Sequence, residues 1–147
     1  MAERAPSPRD WAMAAEAALW LVMAGLALRT LPFSRLAQLA AWPRPLGRGD
    51  ADDVAARAIG RAVEAAARRT PWPVRCFEKG LAAHAMLRRR GRPSVLYYGG
   101  RMEQERGLTA HVWVELGGLG VVGAREAASF AVLAAFPSAP APAMRRT

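Results

Sequence analysis

The sequence predicts an α+β fold in which helices come first and an antiparallel sheet follows. Two observations carry this. Up to about residue 90 the apolar residues recur at the three-to-four spacing of helices. After Gly91 they cluster in short runs rich in valine, leucine, tyrosine and tryptophan, separated by glycines. Helices segregated from a run of strands is the layout of an α+β domain. With 147 residues the chain is one domain's worth of sequence, enough for a real core.

Residues 1–9 are polar and proline-bearing and read as a tail, with Asp10 as the N-cap of a helix over about 11–31, WAMAAEAALWLVMAGLALRT. That helix approaches a membrane span, which takes ~20 apolar residues. Glu16, Gly25 and Arg29 interrupt its apolarity, and alanine supplies much of the rest, so the expectation is a buried or partner-facing helix. Membrane contact through 11–31 is the alternative not favoured. LPFSRLAQLAAW follows as a short second helix with Pro32 at its first turn. WPRPLGRGD (42–50) is a linker, with two prolines and two glycines. DDVAARAIGRAVEAAARR is an amphipathic helix with Val54, Ala58, Ile59, Ala62, Val63 and Ala66 on its apolar face. Arg68 and Arg69 suit the negative end of its dipole. Pro71 and Pro73 stop it. A fourth helix starts near Cys76 and ends at Arg90, with Gly91 just beyond.

From there the chain turns to strands. RPSVLYYGG gives one, bounded by Pro93 and Gly99-Gly100. LTAHVWVEL gives the next, placing His111, Trp113 and Glu115 on one face and Val112, Val114 and Leu116 on the other. GGLG (117–120) is a hairpin turn, VVG a short return strand, AREAA a turn or helical stub and SFAVLAAF a last strand. PSAPAPAMRRT reads as a proline-rich, disordered tail. The division expected is a helical extension and linker over 1–49, a core over 50–137 and a tail over 138–147.

Composition removes several functions. Twenty-one basic residues against twelve acidic give +9, but the arginines are scattered apart from Arg88-Arg89-Arg90 with Arg92. No aromatic-interleaved basic motif or zinc-finger spacing is present, so no nucleic acid partner is expected. One cysteine excludes an internal disulfide and a cysteine-based metal cluster. No phosphate-cradling glycine loop occurs, and no metal or other cofactor is expected. The first ten residues lack a secretory signal's pattern, and the compartment expected is the cytoplasm.

The chemistry lies between Trp72 and Glu115. Cys76 opens a helix, where the N-terminal partial charge favours a thiolate, and Arg75 adds positive potential. His111 stands on a downstream strand. A thiol followed by an imidazole supplies a cysteine nucleophile and its base: the ring takes the thiol proton and returns it to the leaving group. Backbone N–H groups at the helix start would bind the oxyanion. His84, two turns along from Cys76, is too far to be that base and reads as structural or surface.

CFEKGLAAHAMLRRRGRPSVLYYGG followed by AHVWVELGG resembles the transglutaminase-like domain of lasso-peptide maturation proteases, the microcin-processing B proteins. LRTLPFSRLAQ and RRTPWPVRC look similar too, and the resemblance spans about residues 12–136. It implies a transglutaminase/papain-like core, with the cysteine helix packed on a small antiparallel sheet. It also implies a leader peptidase that cuts a ribosomal precursor peptide by Cys76–His111 chemistry. The partners implied are that precursor, a separate leader-recognition protein and an asparagine-synthetase-like cyclase. The alternative is a non-catalytic or acyl-transferring relative that binds a peptide or protein. One departure stands out. The family's third triad member, an acid, falls twelve residues past the histidine, where this chain has Gly123. Glu115, ~7 Å along the strand, and Glu126, just beyond the gap, are the candidates to replace it; a Cys–His dyad is a third possibility. Trp113 and Tyr98 are candidate substrate-groove residues, with plain core packing the competing reading.

Overall fold

The computed structural model describes residues 4–41 and 53–137; the linker expected at 42–50 and the tail at 138–147 lie outside the described residues. Among these described residues four helices, α1 (Pro8–Thr30), α2 (Phe33–Ala41), α3 (Asp53–Arg69) and α4 (Cys76–Arg89), precede four strands. These are β1 (Ser94–Glu103), β2 (Gly107–Leu116), β3 (Leu119–Val122) and β4 (Ala131–Phe136), with a 3-10 helix, Ala124–Ser129, before the last. The α+β layout is as the sequence implied.

Helix α1 starts three residues earlier than expected. Ser7, not Asp10, is the N-cap: its Oγ accepts from the Asp10 N–H (3.3 Å), while Asp10 Oδ2 accepts from the Ser7 N–H (2.6 Å). This reciprocal pair, with Pro8 in the first turn, satisfies donors that a cap at Asp10 would strand. Ala17, Leu21 and Ala24 are its buried stripe, and Ala17 and Leu21 join the core shared with α3 and α4. Glu16 ties it to the end of α4 through Arg89 (2.9 Å) and Arg90 (2.6 Å). The arginine cluster at 88–90 is thus partly a clamp on α1 rather than only a solvated helix end. Arg88 adds a bond from Nη1 to the Ser94 carbonyl (3.3 Å). The outer face of α1 carries exposed Trp11, Leu19, Met23 and Leu26. By length and apolarity alone α1 meets the requirement for crossing a membrane, a test that core helices and signal sequences also pass.

Helix α3 buries Ala56, Ile59, Gly60, Val63 and Ala66, while Val54, expected on the apolar face, is exposed. The helix is rolled so that Gly60 meets β3: a Cβ there would lie 2.5 Å from the Val121 carbonyl oxygen. Helix α4 ends as expected. Gly91 (φ 72°) takes the left-handed position, its N–H bonding the Arg88 carbonyl (2.9 Å) and the Arg92 N–H the Leu87 carbonyl (3.0 Å). That double bond pattern is a Schellman cap, which needs a residue tolerant of positive φ.

The sheet is antiparallel with strand order β3-β2-β1-β4. Gly99-Gly100, expected to end the first strand, lies inside it, because β1 runs on to Glu103 and pairs with β2 throughout. Gly99 is there for packing: a Cβ at that position would sit 2.7 Å from the Trp113 ring. Gly117 and Gly118 form the expected hairpin turn, both with positive φ (57° and 85°). Val112, Val114, Leu116 and Leu96 face the helices and complete the main core. The opposite face carries a second cluster of Tyr97, Trp113 and Ala127. The 3-10 helix crosses that face, carrying the chain from the β3 edge to β4 on the other side.

His84 is structural. It is buried on α4, with Nε2 donating to the Ala40 carbonyl (2.8 Å) and Nδ1 accepting from Ser94 Oγ (2.8 Å). It joins α2 and β1 to α4. Burial pushes its pKa down to about 4, so the ring is neutral near pH 7.

Candidate active site at the edge of the sheet

Cys76 is the first residue of α4, with Arg75 in extended conformation as its N-cap. Pro71 and Pro73 break α3 and deliver the chain to this start. The first-turn N–H groups of α4 have no partner within the helix and are free to meet a carbonyl oxygen. Cys76 is half-buried and in no disulfide.

His111 is rooted on the sheet face away from α4, the face it shares with Trp113, as alternation predicted. It reaches the thiol's side around an edge. Strand β3 pairs with β2 only from Val114 to Leu116, so among the described residues no strand lies beside His111 on the β3 side of β2. Gly123, in left-handed conformation (φ 70°, ψ 2°), turns the chain away there. A cavity of about 150 Å³ opens at this edge, lined by Glu64, Cys76, Lys79, His111, Val112, Val122, Gly123 and Glu126. Cys76 and His111 therefore face the same small space. They do not hydrogen-bond each other, and proton transfer between them needs a bridging water or a small closure.

The imidazole is held tightly. Nε2 donates to the Gly123 carbonyl at 2.8 Å. The ring lies between Phe130 (centroids 5.0 Å apart) and Trp113 (6.0 Å), and Trp113 stacks in turn on Tyr97 (5.5 Å). The Arg101 guanidinium caps the column, 4.6 Å above Phe130. Phe130 and Arg101 were not singled out from sequence; the only cue was the aromatic at the start of the last strand.

The remaining candidates fall into two groups. Glu126 is at the cavity, its Oε2 3.6 Å from His111 Nε2, with its side chain 72% exposed. Glu115, Trp113 and Tyr98 do not line the cavity. Glu115 lies further up β2, opposite Val95 and Gly120. Trp113 is buried, backing the imidazole. Tyr98 packs in an edge-to-face cluster with Phe33 and Phe77 on the helical side. Two residues not singled out for chemistry join instead: Lys79, one turn beyond the thiol, and Glu64 on α3, paired at 3.0 Å. No group of three or more metal-ligating side chains occurs among the described residues.

Comparison with family models matches residues 18–135 to the transglutaminase-like superfamily. No curated protein and no solved structure matches the chain. The match runs from within α1 to within β4 and takes in both Cys76 and His111. A helix opening on a cysteine, packed on a small antiparallel sheet that carries the histidine, is accordingly the arrangement of a chain that belongs to the transglutaminase-like superfamily.

Proposed function

We propose that this protein is a cysteine peptidase that removes the leader segment from a ribosomally made precursor peptide in lasso-peptide maturation. The observation that carries the chemistry is the shared cavity: a thiol at a helix N-terminus and a clamped imidazole face one small space. His111 takes the proton of the Cys76 thiol, and Sγ attacks the scissile carbonyl. The developing oxyanion is met by N–H groups at the start of α4. The proton passes from His111 to the leaving amine, and water then hydrolyses the thioester. The lasso assignment rests on the sequence resemblance around Cys76 and the AHVWVELGG strand. On that reading a separate leader-recognition protein presents the precursor, and an asparagine-synthetase-like cyclase closes the ring in the cytoplasm.

The test is cleavage of the cognate precursor with its recognition protein, followed by mass spectrometry. Wild-type protein is expected to release leader and core, and Cys76→Ala to release neither while keeping its circular dichroism spectrum. Retained cleavage in Cys76→Ala removes the reading. Products joined to an added amine instead of water would move the chain to the acyl-transferring class.

A second reading, a non-catalytic peptide-binding member, draws on one observation: thiol and imidazole share the cavity without a direct hydrogen bond. Iodoacetamide separates the two. An inert Cys76 near neutral pH favours the binding module.

A further inference from the structure

We infer that two groups divide the work that one carboxylate does in a cysteine–histidine–acid triad: the Gly123 carbonyl orients His111, and Glu126 supplies the charge. This rests on the Cys76–His111 reading above. The acid of a triad holds the imidazole in one tautomer and orientation, and it stabilises the cation formed when the ring takes a proton.

The first task falls to a main-chain oxygen. A carbonyl only accepts, so the 2.8 Å bond from Nε2 keeps the proton on that nitrogen. Nδ1 is then the nitrogen that receives the thiol proton. The glycine makes this possible. At φ 70° an L-residue is strained, and a Cβ at position 123 would lie 2.7 Å from the Val112 carbonyl and 3.2 Å from Nε2 itself.

A carbonyl carries no net charge, so the second task needs another group. Glu126 Oε2 lies 3.6 Å from the same Nε2, within Coulomb range, while the Nε2 proton is bonded to Gly123. The other charged or titratable groups around the ring are placed otherwise. Lys79 and Glu64 pair with each other across the cavity, Cys76 is the proton donor, and Arg101 sits beyond Phe130. Because the Glu126 side chain is 72% exposed against 8% for the imidazole, its contribution is screened by salt. The orienting hydrogen bond is not.

Two measurements without peptide substrate test this. The first is ¹⁵N NMR of the histidine rings, His111 assigned by a His111→Asn control. The neutral ring is expected to carry its proton on Nε2 in the wild type and equally in Glu126→Gln. The second is the rate at which iodoacetamide alkylates Cys76, the only cysteine. Glu126→Gln is expected to slow it by about fivefold or less at low salt, the Coulomb effect of one exposed charge at about 4 Å. At ~1 M salt, where screening acts within ~3 Å, the variant should match the wild type. A proton on Nδ1 in the wild type, loss of the Nε2–H form in Glu126→Gln, or a deficit indifferent to salt overturns the inference. A chain that passes both tests yet cleaves no precursor loses the peptidase reading and keeps this one; cleavage with the opposite tautomer does the reverse.

Discussion

His111 Nε2 and the Gly123 carbonyl oxygen are 2.8 Å apart, and that bond stands at the position for which the resemblance to lasso-peptide maturation proteases implied an acidic side chain. From sequence, the glycine at this position left Glu115, Glu126 or a bare Cys–His dyad as the alternatives. The side chain is indeed missing, but the main chain supplies the acceptor.

Restoring the acid should therefore harm the protein. In Gly123→Asp the new Cβ meets the Val112 carbonyl at 2.7 Å, in a backbone conformation with φ 70°. Strain of this kind costs of order 1–3 kcal/mol, and relieving it moves the carbonyl away from Nε2. The expected result is a lower urea midpoint and slower alkylation of Cys76. A variant as stable and more reactive than the wild type would show that the loop has room for the acid.

What was legible in the sequence was what local chemistry specifies. The start of α4 followed from Pro71 and Pro73, its end from Gly91, and the β2–β3 turn from Gly117-Gly118. The faces of β2 followed from alternation, and with them the position of His111. The α1 cap was a local signal, the reciprocal Ser7–Asp10 pair, read one turn late; the other misreadings come from contacts made across the fold. Gly99-Gly100 looked like a strand end because the Trp113 ring that demands a bare backbone at Gly99 is on another strand. The face of α3 was offset because Val121, which selects Gly60, lies far along the chain. The Gly123 carbonyl was invisible in principle, since every residue carries one and only the fold aims it.

The aromatic column predicts a role for Phe130. Its ring covers the imidazole at 5.0 Å, and Phe130→Ala removes that wall while leaving the Gly123 bond in place. Ring pairs of this sort contribute about 0.5–1.5 kcal/mol beyond their buried area. Alkylation of Cys76 should fall by about tenfold as the imidazole, still bonded to Gly123, gains room to pivot about that bond, with a destabilisation of about 1–3 kcal/mol. Phe130→Tyr, which keeps the ring, should recover most of the rate. If Phe130→Ala alkylates as fast as the wild type, the column is packing alone.

Gly80 sets the distance between the cysteine helix and the sheet. Replacing a mid-helix glycine by alanine ordinarily stabilises by about 1 kcal/mol. Here a Cβ would lie 2.6 Å from Val112 Cγ1, on a β-branched side chain with little freedom to move. Overpacking costs about 1–3 kcal/mol, so the net change in Gly80→Ala should be destabilising. The clash also pushes the first turns of α4 off β2, one residue from His111, so alkylation should slow as well. Equal or higher stability by urea denaturation would mean that Val112 repacks freely.

Acid should unfold this protein in two stages. His84 is buried and neutral, its pKa lowered from 6.5 to about 4 by burial. The unfolded chain takes up that proton first, so the stabilisation is complete above pH 6.5 and is lost between 6.5 and 4. At about 1.4 kcal/mol per pH unit the loss reaches about 3 kcal/mol. Glu16 acts lower. Its hydrogen bond to Arg90 is the main cause of a pKa near 2 instead of 4.5, with Arg89 adding to it. Its contribution is present above pH 4.5 and disappears toward pH 2. Urea midpoints measured at pH 7, 5.5 and 4.5 should fall steadily in the wild type. In His84→Gln, which can still donate to the Ala40 carbonyl, the midpoint should start lower and stay nearly level over that range. Glu16→Gln should follow the wild-type slope down to pH 4.5 and flatten only below it. A wild-type midpoint unchanged from pH 7 to 4.5 would show that the imidazole between Ala40 and Ser94 is not held neutral by the fold.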